Sequence, residues 1–177
     1  CPASFAELRT MLHQALFEID GPVAVRYPRG GEGTFTADTS TQAAVRLKDG
    51  RQAVLITYGT LVEQTLDAAE QLERSGISTR VVKLNRIAPL DTAAILRETE
   101  GAETVLILED CFENGSVGQQ IAAGLAEGEG QCPPHVILKN LKDRFAPEGT
   151  VEQLRHRFGL DAAGAAEAVR EVMSHEQ

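Results

Sequence analysis

The chain has 177 residues, enough for one domain or one domain with an appendage. Its formal net charge of -9 argues against a nucleic-acid partner, whose phosphates demand a cationic face, but leaves room for a small anion held by a few local arginines. With 42% hydrophobic and 24% charged residues the composition is that of a soluble globular protein, and no apolar run approaches the ~20 residues that span a bilayer.

Ser4…Glu7 fits a capping box, in which the hydroxyl takes one orphan backbone N–H and the fourth side chain reaches back to another. It predicts a helix from Ser4 to Phe17, followed by an Asp20-Gly21-Pro22 turn and a strand from Val23 to Tyr27. Gly30-Gly31-Glu32-Gly33-Thr34 through Thr41-Gln42 is rich in glycine and threonine and reads as a linker. One helix and one strand cannot bury a core. Residues 1–35 are therefore expected to be the tail of a preceding domain with the start of a linker, and residues 36–177 a complete domain.

A strand near Ala43 to Leu47 is expected to turn at Asp49-Gly50 and pair antiparallel with Ala53 to Tyr58, because so short a connection allows no crossover. Thr60…Glu63 predicts the next capping box, and Leu61, Thr65, Leu66, Ala69 and Leu72 share one helical face that Gly76 ends. Thr79 to Leu84, Thr104 to Leu108 and His135 to Leu141 are near-continuous apolar runs, suited to strands covered on both faces. Asp91 is an N-cap candidate, and Ser116…Gln119 and Thr150…Gln153 are further capping boxes. Glycines from Gly124 to Gly130 are expected to end the Ser116 helix, and Gly159 to stop the stripe Val151, Leu154, Phe158. A last helix carries Ala165, Val169, Val172 and Met173 on one side. The alternation predicts an α/β three-layer sandwich, with a mostly parallel five-stranded sheet and one antiparallel edge strand.

Cys1, Cys111 and Cys132 show no C-x-x-C spacing and no signal segment precedes them, which predicts reduced thiols and a cytoplasmic protein. His13, His135, His156 and His175 are scattered without a metal-ligand pattern, so no metal site is expected. An opening Cys1-Pro2 without an initiator methionine reads as a fragment or a processed form.

Two segments could carry chemistry. Arg26-Tyr27-Pro28-Arg29 ends a predicted strand before Gly30-Gly31, and Pro28 stiffens the backbone that aims both arginines. Guanidinium forks match phosphate oxygens; the alternative is a solvated or carboxylate-paired arginine couple at a domain edge. Glu109-Asp110-Cys111-Phe112-Glu113-Asn114-Gly115-Ser116-Val117-Gly118 runs from strand to helix. An anion nest, a dinucleotide loop or a hydrolase elbow could sit there, but the G-x-G-x-x-G lacks its first glycine and Asn114 replaces the first glycine of G-x-S-x-G. Ser116 as a plain N-cap, with Gly115 and Gly118 permitting close packing, remains the simpler reading.

Arg26-Tyr27-Pro28-Arg29-Gly30, the Val82-to-Asp91 stretch, and Asp143-Arg144-Phe145 followed by Gly159-Leu160-Asp161-Ala162 together resemble the carboxyl-terminal part of the 1-deoxy-D-xylulose-5-phosphate synthase family. Transketolases and the beta subunits of 2-oxo acid dehydrogenases share this domain and are the competitors, as is a non-catalytic small-anion- or partner-binding α/β module. The resemblance implies a transketolase C-terminal-like domain within an enzyme that condenses pyruvate with glyceraldehyde 3-phosphate, losing carbon dioxide. It implies thiamine diphosphate and Mg2+ in the full-length enzyme, with none expected on this fragment because the family's Gly-Asp-Gly motif is absent; Lys48-Asp49-Gly50 is a turn. The fragment alone is expected to be inactive. Arg29 matches the family's phosphate-holding arginine, with Arg26 and Tyr27 beside it as substrate-binding candidates, while Glu109 and Asp110 are expected to be structural. Upstream domains of the same enzyme, a second copy in a homodimer and a small phosphorylated substrate are the expected partners, with no nucleic acid and no membrane.

Overall fold

The computed structural model describes residues 1–127 and 133–175. Helix α1 covers Phe5–Phe17, and its N-cap Ser4 accepts the Glu7 N–H. The strand expected from Val23 to Tyr27 is not formed: these residues carry no regular secondary structure and most are exposed. The segment belongs to no strand of the sheet, so its N–H and C=O groups have no ladder to join. Within the stretch expected as a linker, residues 32–42 are tied down by hydrogen bonds. Ser4 Oγ donates to Ala37 O, Thr39 donates to Glu7, and Asn85 Nδ2 donates to Thr39 O and Gln42 O.

The sheet holds β1 (Ala44–Lys48), β2 (Ala53–Thr57), β3 (Thr79–Leu84), β4 (Thr104–Leu108) and β5 (His135–Lys139) in the order β1-β3-β2-β4-β5. All pairs are parallel except β1 with β3. The antiparallel edge strand is thus present, but its partner is β3, not β2, and no β1–β2 hairpin forms. Both sides of β2 are taken by parallel neighbours, whose burial a Val-Leu-Ile strand demands. The more polar β1, with Arg46 and Lys48, suits the outer edge. Asp49-Gly50 carries the chain across the end of β3: Gly50 lies against the Thr79 backbone so closely that a Cβ would overlap it, and Gln52 N bonds Ser78 O at 2.9 Å.

Side-chain alternation divides the core in two. Leu55, Val81, Leu106 and Leu108 face α2 (Val62–Arg74) and α6 (Ala162–His175), against Leu72, Ala165 and Val169. Val54, Ile56, Val82 and Ile107 face α3 (Thr92–Thr99) and α4 (Val117–Ala126), against Ile95 and Ile121. The result is helix–sheet–helix, as expected. Helix α5 (Val151–Phe158) lies outside these layers and buries none of its residues fully.

The caps sort by position. Thr150 makes the complete box with Gln153, Ser116 accepts the Gln119 N–H, and Asp91 accepts the Ala94 N–H. Thr60 caps nothing: a 3₁₀ turn at Gly59–Leu61 intervenes, and the Glu63 carboxylate turns to the N–H groups of Thr34 and Phe35 instead. Helix α4 ends at Ala126 with Glu127 as C-cap, and Gly128, Gly130 and Cys132 lie outside the described residues.

Candidate substrate cleft

The amino-terminal segment and the domain enclose a cleft of about 580 Å³, lined by Ser4, Phe5, Tyr27, Arg29, Glu63 and Arg155 among others. It lies where the strap after residue 26 meets the start of α2 and, on α5, Val151, Leu154 and Arg155. Strand β2 ends at Thr57, so Gly59 and Thr60 bring the cleft to the carboxyl end of a central strand, where α/β sheets bind ligands.

The predicted candidates separate here. Arg29 is exposed and lines the cleft without an ion-pair partner among the described residues; Tyr27 lines it too and is 57% exposed. Arg26 does not line it. Its guanidinium meets Asp110 at 2.9 Å and lies 5.9 Å from the centre of the Tyr58 ring. Partial burial opposes its charge, but the bond to Asp110 and that carboxylate's field hold Arg26 more firmly protonated than usual. The carboxylate-paired alternative therefore describes Arg26, and Arg29 is the arginine left facing open space.

The Glu109–Gly118 segment is a packed junction. Glu109 is fully buried and accepts the Tyr58 hydroxyl at 3.0 Å and the Gly118 N–H at 2.9 Å. A Cβ at position 118 would overlap that carboxylate and crowd Ile107 and Leu138, so only glycine fits. Burial first, then the charge of Glu109, pushes the Tyr58 hydroxyl pKa far up. The same two causes raise the Cys111 thiol to about 11, so it is no thiolate at neutral pH. Ser116 is buried at the N-cap, away from any nucleophilic arrangement. This agrees with a structural role for Glu109, and Asp110 serves as the anchor of Arg26.

Sequence reasoning missed the pair that holds the cleft's amino-terminal wall. Lys83 Nζ meets Glu7 Oε1 at 2.9 Å, with both side chains fully buried. Asn85 Oδ1 accepts from Lys83, and the Cys1 nitrogen donates to Asn85 O at 2.8 Å. Burial alone would raise the Glu7 carboxyl; the Ala3 N–H, the Thr39 hydroxyl and Lys83 outweigh it and hold Glu7 below the usual carboxylate range. The available signal was a lysine inside the apolar run Thr79–Leu84, where a charge needs a partner. Phe145, in the Asp143-Arg144-Phe145 motif, follows β5. It is 92% exposed, touching Phe112 edge-on at 6.1 Å, because the turn after β5 carries it beyond the layers. Asp143 is engaged by the Asn114 side chain at 2.6 Å, and Arg144 forms no ion pair among the described residues.

Nothing in the cleft composes a diphosphate-and-metal site. Among the described residues no cluster of three or more His, Cys, Asp or Glu side chains could hold a metal ion. The lining carboxylates are engaged: Glu63 by the Thr34 and Phe35 N–H groups, Asp110 by Arg26, and Glu32 by the Phe5 N–H. Arg29 offers this cleft a guanidinium that forms no ion pair among the described residues. No helix among the described residues is long and apolar enough to cross a membrane.

Comparisons with known proteins identify the fold and the family. The sequence pattern of the family "Transketolase, C-terminal domain" matches residues 42–164. The 1-deoxy-D-xylulose-5-phosphate synthase of Chlorobium luteolum is 38% identical over 176 residues, covering 96% of this chain and 27% of that protein. The enzyme of the same name from Geobacillus thermodenitrificans is 32% identical, covering 99% of this chain and 29% of that protein. The chain thus spans little more than a quarter of the length of these curated relatives. Among solved structures, a split-gene transketolase described as an inactive beta4 tetramer superposes with a TM-score of 0.80 at 26% identity, covering 98% of this chain and 56% of that one. A transketolase mutant from Pichia stipitis gives a TM-score of 0.55 at 16% identity, covering 76% of this chain and 18% of that one, a likeness of fold. With more than half of its length matched by that family's pattern, this chain belongs to the transketolase C-terminal domain family.

Proposed function

We propose that the chain is the carboxyl-terminal part of a 1-deoxy-D-xylulose-5-phosphate synthase, which condenses pyruvate with glyceraldehyde 3-phosphate and releases carbon dioxide. The observation that carries this reading is 32–38% identity to synthases of that name over nearly the whole chain, including the amino-terminal segment that the domain pattern leaves out. Thiamine diphosphate with Mg2+ would supply the decarboxylation chemistry from parts of the enzyme beyond this chain, whose own residues do not fit that group.

In this reading Arg29 holds the phosphate of the acceptor aldehyde, Tyr27 lines the approach, and Arg26 fixes the loop by its bond to Asp110. Residues 1–35 are the tail of the pyrimidine-binding domain. Supporting this, the apolar side chains of α1 and the following segment find no cover here: Leu16 is 72% exposed, Phe17 74% and Ile19 52%. Upstream domains and a second copy would cover them, in a cytoplasmic homodimer, and the 177-residue chain alone would be inactive.

The superposition on a split-gene transketolase favours a second reading, a transketolase terminal domain. Product analysis separates the two. The complete enzyme, given pyruvate and glyceraldehyde 3-phosphate, should release carbon dioxide and form 1-deoxyxylulose 5-phosphate. Turnover only with a ketose phosphate donor, and none with pyruvate, would overturn the first reading in favour of the second.

A further inference from the structure

Resting on the proposal that the cleft takes a phosphorylated substrate, we infer that Arg155 on α5 supplies a second guanidinium to the same phosphate. A phosphate ester carries about -1.5 to -2 charges near neutral pH, so one arginine leaves roughly half of it uncompensated. Arg29 and Arg155 are the basic side chains lining the cleft, and they come from different elements. Arg155 is half-buried, and its side chain's one hydrogen bond among the described residues is a long contact to Thr60 O at 3.4 Å. It forms no ion pair within 4.0 Å there. Its charge nevertheless reaches the cleft, where it helps hold Glu63 ionised after burial's opposing push and the Thr34 and Phe35 hydrogen bonds are counted.

None of the three carboxylates in the lining lies within ion-pair distance of it. Glu63, Asp110 and Glu32 are each bonded to other donors. Helix α5 is closed at both ends by its own caps. Its N-terminus has the complete Thr150–Gln153 box, and at its other end Gly159 in the left-handed region lets Leu160 N return to Arg155 O at 2.8 Å. The guanidinium therefore projects from a capped helix into a cleft, with donors to spare. A fork–fork contact to phosphate is among the stronger polar contacts available.

The test compares Arg155→Ala, Arg155→Lys and Arg29→Ala in the complete enzyme, using D-glyceraldehyde 3-phosphate and unphosphorylated D-glyceraldehyde as acceptors. Arg155→Ala should lower kcat/KM about tenfold for the phosphorylated aldehyde and leave the unphosphorylated one within about twofold. Arg155→Lys should recover part of the loss, and inorganic phosphate should inhibit Arg155→Ala more weakly than the parent enzyme. Equal losses on both aldehydes would assign Arg155 to the wall of the cleft and overturn the inference, as would no loss on either. If Arg29→Ala alone erases the preference, only the second contact fails. If neither variant changes it, the phosphate reading of the cleft falls as a whole.

Discussion

Lys83 sits near the carboxyl end of β3 with no exposed side-chain surface, and its ammonium finds Glu7 from a helix 76 positions earlier in the chain. Removing one member of such a pair leaves the other charge buried and unmatched, at a cost of about 3–5 kcal/mol. Lys83→Met should lose that much in urea unfolding, and Lys83→Met with Glu7→Gln should regain most of it. A single-variant loss under about 1 kcal/mol would mean that water reaches the pair. The pH dependence has a definite sign. Glu7 is held below its unfolded value, so its contribution is whole above about pH 4.3 and is lost as pH falls through the folded value. The parent chain should therefore lose stability more steeply than Glu7→Gln on titration from pH ~5 to ~3; parallel curves would remove Glu7 from the acid transition. Neither residue was recognisable alone. A lysine in an apolar strand states that a counter-charge exists, but not which of 26 acidic residues supplies it.

Among the elements, the caps show how far local chemistry determines structure. Thr150 and Gln153 complete their box on an exposed helix that has little else to hold it, so Thr150→Ala should cost about 1 kcal/mol. Thr60 has the same sequence signature but caps no helix, and Thr60→Ala should stay within about 0.5 kcal/mol; thermal unfolding of both variants checks the contrast. Tertiary demand explains the difference: Glu63 is drawn to the strap at Thr34 and Phe35, and the first turn tightens to 3₁₀. The four parallel strands and their helices were readable because apolar runs and 3.6-residue stripes report burial directly. The place of β1 was not, since a short loop states only that direction reverses. Which strand receives it depended on Gly50 lying across the end of β3 and on both edges of β2 being occupied. The expected strand from Val23 to Tyr27 did not form for the complementary reason: strand propensity without a paired neighbour makes no ladder.

Over the whole molecule, two carboxylates fasten the amino-terminal segment to the domain. Glu7 holds Thr39 and Lys83, and Glu63 holds the amides of Thr34 and Phe35. Glu63→Ala should speed hydrogen exchange at Thr34 and Phe35 at least tenfold while the β2 amides stay protected; unchanged exchange would show that the strap is held elsewhere. The cleft arises from that fastening, which is why its walls were hidden in the sequence. Arg29 was singled out by its Pro-stiffened, glycine-flanked setting and by family resemblance, whereas Arg155 and Glu63 reach the same space from distant elements that no local pattern connects. Arg26 was named beside Arg29, and only the fold distinguishes them, by giving Asp110 to Arg26. The central claim is that Arg29 grips the acceptor's phosphate, an interaction worth about 1.5–3 kcal/mol as a hydrogen bond to a charged group. The direct measurement is steady-state kinetics of Arg29→Ala in the complete enzyme with D-glyceraldehyde 3-phosphate, alongside carbon dioxide release from pyruvate without acceptor. The account predicts a fall in kcat/KM of about tenfold or more for the phosphorylated aldehyde, with acceptor-free release nearly unchanged; an unaltered kcat/KM would contradict it.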